Sequence, residues 1–539
     1  MLRISGMEMP LDYTEEGMRR RAATRLGVPP KALLTCVLSK RSVDARKKDR
    51  VHFLLSVDVA VANEPAVLAR AARSKMKETV SAVEREPYIL PTLSEPPRVR
   101  PVVVGSGPAG LFAALTLAQA GACPLLLERG GDVDSRQAAV ELFRRTGVLN
   151  TEDNVQFGEG GAGTFSDGKL NSGIKDPRCR RVLEAFVEAG APASILWQAK
   201  PHIGTDELRR TVRGLREEII RLGGEVRFFT KLTDIVTADG SVTAVLAEHE
   251  GKTEEIPCRQ VVLAIGHSAR DTVAMLLRRG LPMEQKSFAV GVRIEHPRTM
   301  IDRSQYGAFA GHPALGAADY KMNCRPDGRG VYTFCMCPGG VVIAAASEEG
   351  GVAVNGMSEH ARDGENSNSA LLVGVDPADY AAFGETPDDP LAGFAFQRKM
   401  ERDAFRLGGS DYRAPVQLVE DFLAGRASTT LGDVRPTYQP GVTLADLREC
   451  LPGFVAKGLR DAIPVFGRHL AGFDRRDAVL TGVESRSSSP VRLPRDGDGQ
   501  SAVRGVFPCG EGAGYAGGIL SAAVDGIRCA EWVLKSIDR

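Results

Sequence analysis

One segment constrains this chain more than any other: Val102-Val103-Val104-Gly105-Ser106-Gly107-Pro108-Ala109-Gly110, followed by the apolar run Leu111–Ala120. Three consecutive valines predict a short buried strand, and the run after the glycines predicts a helix. Each glycine has a separate task. Gly105 permits a tight turn, Gly107 has no side chain to hold a pyrophosphate off the backbone, and Gly110 lets the helix pack on the strand. Ser106, Pro108 and Ala109 complete the turn. The helix end then offers free N–H groups and partial positive charge to phosphates. A second strand, Pro124–Leu127, leads into Glu128 and Arg129, with Glu128 18 residues after Gly110. An acid there accepts hydrogen bonds from an adenosine ribose and repels a 2′-phosphate, which disfavours NADP. These elements predict a dinucleotide site but do not separate FAD from NAD.

The 539 residues allow about three domains. With 43% hydrophobic and 25% charged residues, the composition is that of a globular protein. The first 100 residues hold 19 Lys+Arg against 12 Asp+Glu, so they carry +7 and the remaining 50 against 56 carry −6. Residues 1–95 read as a basic α+β unit, with helices near Glu15–Arg25 and Pro65–Lys77 and paired strands Leu33–Arg41 and Val51–Val61. A proline connector from Pro87 to Pro97 ends it. Residues 96–284 alternate strands and helices, the pattern of a parallel α/β sheet. Residues 285–484 are less regular, and 485–539 return to strand, glycine loop and helix. No apolar run reaches the ~18 residues of a membrane span. No signal-peptide core opens the chain, and ten scattered Cys suit a reducing compartment, so a cytoplasmic location is expected.

At the C-terminal end, Val503–Cys509 leads into Gly510-Glu511-Gly512-Ala513-Gly514, then Gly517-Gly518 and a helix from Ile519 to Leu534. This resembles the second FAD fingerprint of the glutathione reductase-like two-dinucleotide-domain flavoproteins. The resemblance implies that Glu511, where the superfamily has Asp, serves the ribityl chain, and that the helix from Ile519 points at the flavin. Val261–Ser268, with Gly266, looks like the superfamily's middle strand and turn. Gly224–Phe229 with Leu232 looks like the strand that brackets adenine.

Longer runs narrow the likeness: Asn154–Leu170, Val331–Gly340, Asn355-Gly356-Met357-Ser358 and Gly482–Pro490. On these the chain resembles a poorly characterised bacterial family of FAD-dependent dehydrogenases with an extra N-terminal α+β domain. The implied fold is α/β: a Rossmann-like FAD-binding domain in two parts (96–284 and 485–539). Residues 285–484 form an inserted α+β substrate or cap domain, and residues 1–95 a small ferredoxin-like domain. The implied cofactor is noncovalent FAD, since no Cys or His lies in the first fingerprint.

Several residues are candidates for contact or chemistry. The stretch Gln156–Leu170 is rich in Gly and short polar residues, and Gly160, Gly161, Thr164 and Lys169 are its expected cofactor contacts. Lys169 could balance a reduced flavin anion. Cys335 and Cys337 could exchange electrons with a flavin, but alternate strand residues share a face and would close only a strained ring. His267 is the best placed of the isolated histidines. Glu348, Asn355, Ser358 and Arg362 are the substrate-side candidates. No HxxxH or CxxC pair appears, so no metal is expected.

The resulting expectation is an oxidoreductase that passes hydride through flavin N5 between a small organic substrate and an electron partner. With no second complete glycine fingerprint, NAD(P)H would bind only transiently. The alternatives are an RNA-modifying or RNA-bound flavoprotein using Arg19–Arg21 and Lys40–Lys48, or a non-catalytic FAD-binding protein. Only Tyr13, Phe53 and Tyr88 are aromatic in residues 1–95, too few for a base-stacking platform, so nucleic acid is the weaker expectation.

Overall fold

The computed structural model describes residues 1–73, 79–83 and 88–537. The first expected N-terminal helix spans Glu15–Leu26. The second spans Glu64–Ala72; residues 74–77 of the expected Pro65–Lys77, and Pro87, lie outside the described residues. Four antiparallel strands lie in the spatial order Leu33–Asp44, His52–Val61, Leu2–Met9 and Val80–Ala82. Their alternating apolar residues, Leu2 and Ile4 against Val57 and Val59, bury one face with Ala22, Ala23 and Leu26 of the first helix. The unit docks on the rest of the chain. Arg41 exchanges two backbone hydrogen bonds with the Trp197–Ala199 segment, and its guanidinium stacks 4.5 Å above the Trp197 ring. Lys48 donates to the Gln305 carbonyl.

The second unit is built on a five-stranded parallel sheet in the order Val506–Pro508, Val261–Leu263, Val102–Val104, Leu125–Leu127 and Glu225–Arg227. The inner strands are apolar at every position because both faces are covered. Val103, Leu126, Val262 and Phe507 face a helical layer that includes Pro108–Gln119, Thr205–Arg221 and Ile519–Ile537. Val102, Val104, Leu125 and Leu263 face the three-stranded meander Thr230–Ala238, Ser241–His249 and Lys252–Pro257. The last helix runs longer than the expected Ile519–Leu534, and the strand before it is shorter than Val503–Cys509.

Residues 288–484 supply a seven-stranded sheet whose long central pair, Phe288–Pro297 and Asn366–Val375, is antiparallel and buried. Period-2 alternation divides its faces. Val290, Val292 and Ile294 pack in one apolar cluster with the helix Gly453–His469, while Arg293 and Glu295 point the other way. That opposite, polar face closes one end of the cleft described next. The strand Glu284–Gln285 pairs with Val491–Arg492, so the chain enters and leaves this unit side by side. Among the described residues, no helix is long and apolar enough to cross a membrane.

Candidate functional site

The glycine turn forms as its residue types require. Gly105 has φ +97°, and a Cβ there would lie 2.4 Å from the Ala264 carbonyl oxygen. The helix begins at Pro108 with Gly107 as its cap and no side chain closing the end, so its first N–H groups are left for a ligand. Glu128 stitches the surrounding loops together. One carboxylate oxygen accepts from the Ser106 N–H (2.8 Å) and hydroxyl (2.7 Å), and the other from the N–H groups of Gly130 and Gly158 (both 2.9 Å). Arg129 stacks on Phe157 at 4.1 Å and pairs with Glu152 and Asp271.

The turn after Val261–Leu263 lies against the turn after Val506–Pro508, and a Cβ on Gly512 would stand 2.4 Å from the Gly266 carbonyl oxygen. His267 Nδ1 lies 3.5 Å from Glu511, and its Nε2 is buried with no hydrogen-bond partner among the described residues. Gly510 donates to Asp525 (2.8 Å), which is held by both ends of the Arg495 guanidinium. Cys509, Asp525 and Cys529 place potential ligand atoms within 4.8 Å of one another, but Arg495 already meets the charge of Asp525.

A continuous cleft of about 440 Å³ follows these turns. It starts at Glu128, Arg129 and Leu232, passes Gly107 and Gly161, reaches Glu511 and Ile519, and ends beneath the polar face of the seven-stranded sheet. Charge is concentrated at that end. The Asp167 carboxylate is fully buried between Lys169 (2.7 Å) and Arg362, and also accepts from the Ser358 hydroxyl. Burial opposes its ionisation, but the two cations outweigh this and hold its pKa at about 2. Burial likewise opposes the charge on Lys169, while the negative charge of the Cys337–Cys335 pair and of Asp167 outweighs it and raises Lys169 above the usual lysine value.

Arg293, wholly buried, is the second centre. It forks onto Glu484 and donates to the Cys335 carbonyl (2.9 Å), Asn368 (3.0 Å) and Asn355 (2.8 Å). Burial pushes the Glu484 carboxyl up to about 7 against the pull of Arg293. A third group locks the sheet to the Ala264–Ser268 turn: Glu401 is clasped by Arg270 (2.8 Å) and Arg486 (2.9 Å), and Arg486 also reaches Ser347.

Of the residues expected from sequence, Gly105, Gly107, Pro108, Ala109, Glu128, Arg129, Gly161, Lys169, Leu232, Gly266, His267, Glu511, Gly517, Gly518 and Ile519 line the cleft, as do Cys335 and Asn355. Others do not. Thr164 is buried behind it, donating to the Glu159 carbonyl, and the expected Gly160 contact lies there too. Ser106, Gly110 and Gly510 shape the turns from behind. Glu348 is committed to Arg270 and Arg398, and Ser358 and Arg362 to Asp167, so of the four substrate-side candidates only Asn355 faces the cleft. Asp167, Arg293, Glu484 and the Glu401 clasp were missed. Arg293 left a readable signal: a lone charge in the apolar run Phe288–Ile294.

Three family models match the chain. Residues 99–287 match the pyridine nucleotide-disulphide oxidoreductase model, 287–487 the C-terminal domain-like model of FAD-dependent proteins, and 1–60 a domain of unknown function. An uncharacterised protein of Clostridium beijerinckii is 48% identical over 541 residues, covering 100% of this chain and 99% of that protein. The chain belongs to this family of FAD-dependent oxidoreductases. Similar solved structures include the quinol fumarate reductase subunit FrdA of E. coli (13% identity, 82% of this chain and 70% of that one, TM-score 0.38). Another is a geranylgeranyl bacteriochlorophyll reductase-like protein of Thermoplasma acidophilum (13% identity, 81% and 78%, TM-score 0.37). Likenesses this distant identify no activity.

The flavoprotein's cofactor is FAD, and the cleft suits it. The bare end of the Pro108–Gln119 helix offers N–H donors suited to a pyrophosphate, and the tight approach of Gly161 to Gly107, where a Cβ would come within 2.9 Å, keeps that part of the cleft free of side chains.

Proposed function

We propose that the protein is an FAD-dependent dehydrogenase that exchanges hydride between a small organic substrate and an electron partner. On this reading FAD lies extended and noncovalent, with its adenosine near Glu128 and Leu232, its pyrophosphate at Gly107 and Pro108, and its ribityl chain near Glu511. When bound, FAD supplies hydride acceptance and donation at N5. The observation that carries the reading is one cleft running from the glycine turns after Val102–Val104 and Val506–Pro508 to the polar face of the seven-stranded sheet.

The chain's own residues orient and exclude. Lys169 keeps a positive charge at the cleft end because Asp167 stays ionised beside it. Asn355, fixed by Arg293, offers a hydrogen-bonding amide to a substrate there. We read residues 1–95 as a ferredoxin-like module, 96–284 with 485–539 as the FAD-binding domain, and 285–484 as the substrate domain. The reading favours a protein-docking role for the module, since Arg41 and Lys48 of its basic face are already spent on Trp197 and Gln305.

Anaerobic titration of the purified protein with NADH, NADPH and dithionite, followed by flavin absorbance, tests the proposal. Bleaching by a nicotinamide or by an added organic donor supports a dehydrogenase. A flavin reduced by dithionite alone, across a panel of physiological donors and acceptors, refutes it.

A further inference from the structure

We propose that Cys335 and Cys337 are a redox-active pair that cycles between dithiol and disulfide by exchanging two electrons with FAD. The inference rests on the reading that FAD occupies the cleft. It concerns residues outside the segment 99–287 that matches the nicotinamide-disulphide oxidoreductases.

In a regular strand, residues two apart share a face and close only a strained ring. The strand is not regular at this point. Phe334 pairs with Ala370 and Cys337 with Asn368, so this strand carries one residue more than its partner across that step. Cys335, with φ +40°, sits in that bulge. At this bulge the Cys337 thiol donates to the Cys335 carbonyl at 3.3 Å. Both cysteines are free. Their exposure differs as an attacking and a resolving thiol would: Cys335 lines the cleft, whereas Cys337 is buried.

The surroundings favour a thiolate. Lys169 donates to the Met336 carbonyl between the two cysteines, and Arg293 donates to the Cys335 carbonyl. The facing ionisable groups include Lys169, Arg293, Asp167, Glu484 and Tyr320. A hydrogen bond from Cys337 is the largest influence holding the Cys335 thiol well below its ordinary value; burial opposes it, and Lys169 and Arg293 assist. The same hydrogen bond and burial hold Cys337 well above. A thiolate beside a neutral thiol is the arrangement from which an S–S bond forms.

The step balances. In oxidation the Cys335 thiolate and the Cys337 thiol form the Sγ–Sγ bond and give up two electrons and the one proton of the Cys337 S–H, and oxidised FAD takes up both electrons and that proton. In the reverse direction the reduced cofactor returns two electrons and one proton, and the S–S bond opens to a thiolate on Cys335 and a thiol on Cys337.

The test is an anaerobic dithionite titration of air-oxidised holoprotein, with alkylation and peptide mass mapping at each stage. The expected result is uptake of two electrons beyond those of the flavin. The peptide spanning 335–337 should be lighter by two hydrogens and unalkylated before reduction, and doubly alkylated after it. The Cys337→Ser variant should lose the extra uptake. Cys335 in reduced protein should alkylate at a pH below the ordinary thiol value of about 8.5, and Lys169→Met should move that pH upward. Uptake by the flavin alone, with both cysteines alkylated at every stage, overturns the proposal. A protein that holds no flavin refutes the FAD reading separately. The pair is then judged by diamide oxidation: a 335–337 disulfide supports it, and full alkylation refutes it.

Discussion

Gly512 and Gly266 leave no room between them, since a Cβ on Gly512 would stand 2.4 Å from the Gly266 carbonyl oxygen and 2.8 Å from its carbonyl carbon. This contact joins the last strand's turn to the middle strand's turn. Gly512→Ala must force them apart, at a cost of about 3 kcal/mol in stability. Thermal melts should show the loss, and the purified variant should carry less flavin per chain than the parent. An unchanged melting temperature with full flavin content would show that the turns yield freely.

Glu128 accepts from four donors at once, two on each oxygen. Glu128→Gln turns one oxygen into an NH2 group that faces two existing donors. The expected cost is about 3 kcal/mol, with FAD affinity reduced on the order of tenfold or more. Flavin fluorescence titration of the apoprotein reads the affinity, and Glu128→Asp should not restore it, because the shorter side chain cannot span both loops.

Asp167 makes part of the stability depend on pH. Its pKa is about 2 in the folded chain, against an ordinary 3.8, so the folded state favours the ionised form. The contribution, about 2 kcal/mol, is fully present above pH ~4 and is lost as pH falls toward ~2. Asp167→Asn should flatten that part of the acid-denaturation curve. It should also destabilise the protein at neutral pH by leaving Lys169 and Arg362 facing each other. A parallel acid curve for the variant would assign the pH dependence elsewhere.

Glu401 hydrogen-bonds both Arg270 and Arg486, and all three side chains are buried. Glu401→Ala leaves two buried guanidinium groups short of a partner and should cost about 3–5 kcal/mol. Replacing Arg270, Glu401 and Arg486 together with Met, Leu and Met should recover most of that loss. If the triple variant is no more stable than the single one, the clasp contributes more than charge balance.

The glycine turns were legible because their requirements are local. Gly105 needs a left-handed φ and Gly110 needs a missing side chain, and both needs show in nine consecutive residues. The four-stranded N-terminal sheet was partly legible from alternation. The far end of the cleft was not, because Asp167, Arg293, Glu484 and Arg362 come from four separate segments and meet only when the sheet folds over the cleft. Ser358 and Arg362 stand out in the sequence only as polar residues in matching loops, and their partner Asp167 lies 191 and 195 residues away with no local sign of the pairing. The bulge at Cys335 was hidden for a similar reason: it depends on the register against Asn368, which no pattern within Val331–Cys337 records.

The pairing of Gln285 with Val491 ties off the inserted segment at a narrow neck. A laboratory graft with cuts at those two positions has the least backbone to rejoin, yet it must bring its own partners for Arg270 and Asp167, whose charges are met by Glu401 and Arg362 from inside the segment.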